Sequence, residues 1–308
     1  MSGAVSSLRL GVPRRGRTAL DFSRVPEGAR TPGVLLLDGT YFATGCNGSP
    51  VLLSSTIARL VTALQPGLTV CAFDNGERKT FAPGSVDARR AARSPRAARG
   101  NPAPLAAALQ ALHIPCVLAP AGAQGDDVLA ALSHELAESS RCADLRVLVA
   151  TGDADACITL RKGAQPGARV DWLRVAGHPC AEWPNVLTAV TWHAFHSKRG
   201  FAPERYAAFA AFTGRPRDGV KRVLGVGNAA AASLVHAHGA DPALPDEAVL
   251  EAVLRAAETD KLRGYLPSVR AALVQPGARE LLFSNLRAVK PRLDAAVGRV
   301  PLQLQALL

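Results

Sequence analysis

Three apolar runs in this chain end in carboxylates: VLLLD closing on Asp38, LTVCAFD closing on Asp74, and LRVLVATGDAD closing on Asp153 and Asp155. Short, unbroken apolar runs bounded by turn signals are the pattern of strands buried on both faces, as in a parallel sheet. In an open parallel sheet the carboxyl ends of the strands line one crevice. The spacing therefore predicts that these acids converge. Asp126 and Asp127 in AQGDDV and Asp218 in GRPRDGV bring the set to seven. Clustered carboxylates raise one another's pKa and are stable chiefly when divalent cations neutralise them.

An acidic pit is the more notable because the chain is basic. It carries 36 Lys+Arg against 25 Asp+Glu, a formal net charge of +11, and a pI near 10.0. That balance favours an anionic partner such as nucleic acid, although an Arg- and Ala-rich codon bias would give the same composition. At 308 residues, 48% hydrophobic and 20% charged, the chain suits one large domain or two smaller ones. The six cysteines show no CxxC or His-paired spacing, which argues against a zinc site or a disulfide framework and for a reducing compartment. No apolar run approaches the roughly 20 residues of a membrane span, so a soluble protein is expected. The first 20 residues contain Arg9, Arg14, Arg15 and Arg17, three serines and no acid. They read as an organellar transit peptide, mitochondrial or other, or as a basic tail that touches nucleic acid.

Strands alternating with helices predict an α/β fold with a mainly parallel sheet. A disordered segment is expected over 1–33, and an α/β domain over 34–182. Within it, helices are expected at 51–64, 105–112 and 126–138, and strands at 69–73, 116–118, 145–151 and, at the edge, 170–175. Residues 75–104 are a long basic excursion between strands, with Arg89, Arg90, Arg93, Arg96 and Arg99. Long loops over a crevice commonly act as lids or clamps, and guanidinium groups there would bind phosphates. A helical part follows over 183–290, with helices at 185–196, 203–212, 228–238, 246–258, 262–272 and 278–286. Residues 291–308 read as a tail.

The acids define the chemistry. Two divalent ions about 4 Å apart can orient a phosphodiester, activate water and stabilise the leaving oxygen. An all-carboxylate shell suits Mg²⁺ or Mn²⁺. Each motif also has a plain structural use: TGDADA as a helix cap or solvated loop, and Asp126-Asp127 as an acidic helix start favoured by the helix dipole. Gly225 and Gly227 in GVG, beside Lys221 and Arg222, fit a helix N-terminus that binds phosphate or a tight helix–turn–helix corner. No GK[ST] follows the glycines, and LDGTYFATG carries no GxGxxG, so neither a P-loop nor a dinucleotide site is expected.

Together these segments resemble the 5′→3′ exonuclease domain of bacterial DNA polymerase I and the flap endonuclease group, with its PIN-like fold. LLLDGT resembles that family's opening strand, and AFDNGERKTF its second strand with the start of a helical arch. GAQGDDVLA resembles EADDV, TGDADA resembles TGDKD, and GRPRDGVKRVLGVG resembles GDSSDNIPGVPGVG at identical spacing. The resemblance spans roughly residues 34–290. It implies a parallel central sheet with flanking helices, a helical arch and a C-terminal helix–three-turn–helix subdomain. It also implies two-metal hydrolysis of DNA with a 5′ flap, nick or 5′ end, or of RNA–DNA hybrids, in replication or repair. By position, Asp38, Asp74, Asp126 and Asp127 would hold a first ion, and Asp153, Asp155 and Asp218 a second. Lys79, Arg89, Arg90 and Arg93 fall in the arch, and Lys221, Arg222, Gly225 and Gly227 in the duplex-holding motif.

The chain departs from the family at several points. Gln124 stands in place of Glu, Arg215 in place of the first Asp of GDxxD, and Ala82 in place of the Arg after KTF. Arg89 replaces the arch Tyr, GVKR replaces NIPG, and Ala229 replaces the Lys after GVG. Losing one transition-state interaction commonly costs about 10²–10³ in rate. Two readings are therefore open on sequence: a metal-dependent 5′ nuclease, and a weakened or inactive nucleic-acid-binding relative in an organellar complex.

Overall fold

The computed structural model describes residues 7–9, 32–75, 101–163, 168–176, 186–216, 219–241, 243–262, 264–296 and 301–306. These fall into two compact units, one formed by residues up to 75, 101–194 and 291–306, the other by 195–290.

The first unit is organised around β2 (Val34–Asp38), all five residues of which are buried. Its side chains alternate between two separate cores. Leu35 and Leu37 join Phe42, Leu53, Ile57, Leu60 and Leu64 on one face. Val34 and Leu36 join Val128, Leu132 and Leu136 on the other. Burial on both faces is why the run reads as continuously apolar. Flanking β2 in parallel are β3 (Leu68–Phe73) and β5 (Arg146–Thr151). The parallel set continues outward to β4 (Cys116–Leu118) beyond β3 and β6 (Arg169–Ala176) beyond β5. Two strands outside the sequence expectation complete one edge: β7 (Val186–Val190), antiparallel to β6, and β1 (Ser7–Arg9), antiparallel to β7. The order of the seven-stranded sheet is β1-β7-β6-β5-β2-β3-β4.

The helix expected over 185–196 is thus half strand. Residues 186–190 pair with β6 and β1, and only Trp192–Arg199 is helical. Likewise, Ser7–Arg9 lies inside the segment expected to be a disordered tail. Edge pairing uses main-chain groups that any sequence carries, so no side-chain pattern announces it. The remainder of the expected transit segment, up to residue 31, lies outside the described residues.

Helices cover both faces of this sheet: α1 (Gly39–Gly45), α2 (Pro50–Leu64), α3 (Ala103–Gln110) and α4 (Gly125–Glu138). α2 shows the local code. Ser49 caps its N-terminus by accepting the Leu52 N–H at 3.3 Å, Pro50 occupies the first turn, and Gln65 ends it in the left-handed region at φ 50°. Residues 53, 57, 60 and 64 then form one apolar stripe. At the amino-terminal ends of β5 and β6, Asp171 is fully buried, with Arg146 Nε at 2.8 Å and Arg169 Nη2 at 2.7 Å. This charged group is at the opposite end of the strands from the acids of interest.

The second unit is helical. Beyond Phe195, in α5 (Trp192–Arg199), it contains α6 (Tyr206–Thr213), α7 (Asn228–His238), α8 (Asp246–Glu258), α9 (Pro267–Leu273) and α10 (Ala278–Val289). Phe201 stacks on Phe209 with centroids 4.9 Å apart. Asn285 is buried and donates to the carbonyls of Ala211 and Lys221 at 2.8 and 2.7 Å.

Candidate active site

The strand order reverses between β2 and β5, the topological switch where α/β sheets bind ligands. Three adjacent strands, β3, β2 and β5, bring acids there. Asp38 is the last residue of β2 and caps α1: its Oδ1 accepts the Tyr41 N–H at 2.9 Å. Its Oδ2 accepts the Thr151 hydroxyl at 2.7 Å. The side chain is buried, and no Lys or Arg of the described residues forms an ion pair with it. Burial raises its pKa from 3.8 to about 7; the charges of Asp126 and Asp74 push in the same direction, and the two hydrogen bonds oppose them. Burial likewise raises the Tyr41 phenol, which donates to the Val175 carbonyl at 3.0 Å.

Asp74 follows β3 directly. Its N–H donates to Thr40 Oγ1 at 2.9 Å, and its Oδ1 accepts the Gly125 N–H at 2.7 Å. A Cβ on Gly125 would lie 3.3 Å from the Asp74 nitrogen, so glycine lets the start of α4 close on β3. The first turn of α4 presents N–H groups with no helical partner, and the acids take them up. Besides the Asp74 contact, Asp126 Oδ1 accepts the Asp127 N–H at 2.9 Å, and Asp127 Oδ2 accepts the Gln124 N–H at 2.9 Å. Asp127 Oδ1 accepts the Arg292 N–H at 3.0 Å.

After β5, Thr151 Oγ1 accepts the Asp153 N–H at 3.1 Å while donating to Asp38. One hydroxyl therefore couples the acids of two strands. Asp153 Oδ1 accepts the Asp155 N–H at 3.0 Å and caps the 3-10 turn Ala154–Thr159. Between Thr151 and Asp153, a Cβ on Gly152 would lie 2.2 Å from the Tyr41 ring.

The structure thus brings Asp74 and Asp126 within electrostatic reach of Asp38, with Asp153 joined to Asp38 through Thr151 and Asp155 to Asp153. Among the described residues, no three His, Cys, Asp or Glu side chains are gathered tightly enough to hold a metal ion as they are turned. The donor chemistry nevertheless fits one: all oxygen, with a buried carboxylate raised by desolvation and by neighbouring acids. A hard divalent cation relieves that destabilisation.

No protein-family model and no curated protein matches the chain. Solved structures do. A bacteriophage T5 5′-exonuclease mutant is 16% identical, with 90% of this chain and 96% of that chain covered and a TM-score of 0.57. The zinc-bound T5 5′-exonuclease is 18% identical over 89% and 96%, at 0.57. The T5 flap endonuclease, in a pseudo-enzyme–product complex with DNA and metal ions, is 16% identical over 89% and 96%, at 0.53. The chain has the fold of the T5 5′-exonuclease.

In this 5′-exonuclease fold the remaining expected residues divide. Asp218 and the residues expected in an arch, Lys79, Arg89, Arg90 and Arg93, lie outside the described residues. In the second unit, Gly225 has φ +92°, and a Cβ there would lie 2.9 Å from the Ser268 carbonyl oxygen. Close approach to α9 accounts for this glycine. Gly227 caps α7, whose N-terminus has no side-chain cap. Lys221 and Arg222 are exposed, and Arg222 Nε donates to the Thr213 carbonyl at 3.1 Å. Arg215 pairs its backbone with Val220.

Sequence reasoning passed over Thr40 and Thr151, which hold the acids in place, and Arg292, which binds Asp127. The two threonines carried a signal: each lies within two residues of an acid at a strand end, in LLLDGT and VATGD.

Proposed function

We propose that this protein is a divalent-metal-dependent 5′ nuclease that hydrolyses phosphodiesters in DNA bearing a 5′ flap, nick or end. The observation that carries the reading is Asp38. A carboxylate buried at a topological switch, beside Asp74 and Asp126 and without a cationic partner among the described residues, destabilises the protein unless it serves a ligand. The net charge of +11 supports a polyanionic substrate.

In this reading Asp38, Asp74 and Asp126 hold one ion, Mg²⁺ or Mn²⁺, and Asp153 and Asp155 contribute to a second. A bound divalent ion supplies Lewis acidity toward the phosphate and a water of lowered pKa. The chain's own residues do the rest. Thr40 holds the Asp74 backbone and Thr151 the Asp38 carboxylate, so that an arriving ion needs only the remaining carboxylates to turn toward it. The basic set Lys79, Arg89, Arg90 and Arg93 grips the 5′ strand, while Lys221, Arg222 and the start of α7, which no side chain caps, hold duplex phosphates.

Cleavage of 5′-flap, nicked and RNA–DNA hybrid substrates with Mg²⁺ or Mn²⁺, comparing wild type with Asp153→Ala and Asp38→Asn, tests it. The wild type should cleave at least 100-fold faster than either variant, in keeping with the loss of one transition-state contact. Equal, background turnover from all three proteins refutes the nuclease reading.

A further inference from the structure

The two acids that open α4 do different work. Resting on the nuclease reading above, we infer that Asp127 is a positioning residue: it clamps the C-terminal segment around Arg292 to the start of α4 and so sets Asp126 against Asp74 and Asp38. Its two carboxylate oxygens each accept a backbone N–H, Oδ2 from Gln124 at 2.9 Å and Oδ1 from Arg292 at 3.0 Å. The first of these is the reciprocal half of a capping box, in which the third helical residue accepts the N-cap N–H. The second reaches 165 residues along the chain, to the segment that reads in sequence as a tail.

That segment makes two further contacts with the same unit, at Gly122 and through Leu304. Arg292 is ion-paired to Asp294, with Nη2 to Oδ2 at 2.9 Å, and its guanidinium lies at the Gly122 turn that leads into α4. Farther on, Leu304 is fully buried in the core that also holds Val128, Leu132 and Leu136 of α4. The anchored segment meets α4 at its first turn, where Gly125 N–H is held by Asp74 at 2.7 Å. The C-terminal segment is therefore part of the scaffold that places the acids. Asp127, its carboxylate already occupied by main-chain donors, holds that scaffold together.

A backbone donor can be deleted selectively. Arg292→Pro removes the N–H that binds Asp127, whereas Arg292→Ala keeps it and removes the guanidinium, with its ion pair to Asp294 and its place at the Gly122 turn. Asp127→Asn weakens the acceptor, whereas Asp127→Glu keeps the carboxylate that capping boxes ordinarily use at this position. Amide exchange at Gln124 and Gly125 is read in the metal-free protein, and Mn²⁺ stoichiometry and affinity by calorimetry. Arg292→Pro and Asp127→Asn should speed exchange at these amides by about 5–10-fold, the loss of roughly one hydrogen bond. Arg292→Ala and Asp127→Glu should stay within about twofold of wild type. Asp127→Asn should bind the same number of Mn²⁺ ions, more weakly.

The inference is overturned if Arg292→Pro leaves exchange unchanged, or if Asp127→Asn loses one equivalent of Mn²⁺ with exchange intact. Should Asp127→Asn fail to fold, the Arg292 pair at the surface still decides. If the exchange pattern appears as expected but wild type cleaves no substrate with any divalent ion, the clamp stands and the nuclease reading falls.

Discussion

Replacing Asp38 by Asn should stabilise the metal-free protein, and by an amount that grows with pH. The folded-state pKa of Asp38 is raised from 3.8 to about 7 by burial, so the native state binds this proton more tightly than the unfolded chain. The associated stability is complete below pH 3.8 and is lost progressively as pH rises to about 7. At about 1.4 kcal/mol per pH unit, the full interval is worth about 4 kcal/mol, of which roughly 2–3 kcal/mol falls between pH 5 and 8.5. Asparagine is close to isosteric: its Oδ1 still accepts the Tyr41 N–H, and its Nδ2 can donate to Thr151 Oγ1, which rotates to accept. The assay is urea unfolding in EDTA, read by the fluorescence of Trp172, whose Nε1 donates to the Thr151 carbonyl at 3.1 Å. From pH 5 to 8.5 the variant should gain about 2–3 kcal/mol on wild type. Saturating Mg²⁺ or Mn²⁺ should reverse the ranking at pH 8.5, because binding to the folded state stabilises only the protein that binds. Parallel stabilities of the two proteins across this range, within about 0.5 kcal/mol, would refute the assignment of a buried, cation-seeking carboxylate.

Further substitutions test the frame around the acids. Gly152→Ala puts a methyl 2.2 Å from the Tyr41 ring, so it should lower stability by about 1–3 kcal/mol and weaken Mn²⁺ binding, read by melting and calorimetry. Asp171→Asn strips a buried acid from Arg146 and Arg169; because Arg169 can turn to solvent, the loss should be about 2–3 kcal/mol, below that of a fully buried pair, with Mn²⁺ affinity unchanged. Asn285→Ala leaves the Ala211 and Lys221 carbonyls without their side-chain donor; it should cost about 1–3 kcal/mol and speed amide exchange over 220–227. Lys221→Ala with Arg222→Ala should reduce the salt dependence of duplex binding by up to about two phosphate contacts, each worth a slope of roughly 0.9 in log K against log salt. An unchanged slope removes that surface from the interface.

The strands that carry the acids were legible because burial on both faces writes an unbroken apolar run, and a carboxylate closing such a run is easy to see. The edge of the sheet was not. VLTAVTW suits a helix or a strand when read alone, and β6 pairing with residues 186–190 in antiparallel register decides between them. Asp171 was missed for a related reason. In RVDWLRV it looks like one polar residue of an edge strand, whereas β7 lies outside β6 and Arg146 of β5 and Arg169 close over the carboxylate. Thr151 becomes a partner of Asp38 only through the parallel register that sets Leu37 opposite Ala150, and register between distant segments is not written in either one.

Asp126 and Asp127 mark the sharpest limit of sequence reading. As letters they are equivalent, and a family resemblance assigns both to one ion. On a helix, however, consecutive residues point about 100° apart and do not face a common partner. Once Gly125 is drawn against Asp74, the rotation of α4 is fixed and the two carboxylates must part. Asp126 comes within electrostatic reach of Asp38, and Asp127 turns to the Arg292 backbone. The same geometry bears on Gln124, which stands where the resemblance has Glu. The Gln124 N–H is already held by Asp127, so an acid there would add a third negative charge to a turn whose free N–H groups are largely taken. Introducing Gln124→Glu should therefore raise the Asp38 pKa and lower metal-free stability at pH 8.5, while tightening Mn²⁺ binding if the added carboxylate reaches the ion. Calorimetry and urea unfolding on the one variant measure both effects. A variant unchanged in both respects would show that residue 124 lies beyond the field of the acids.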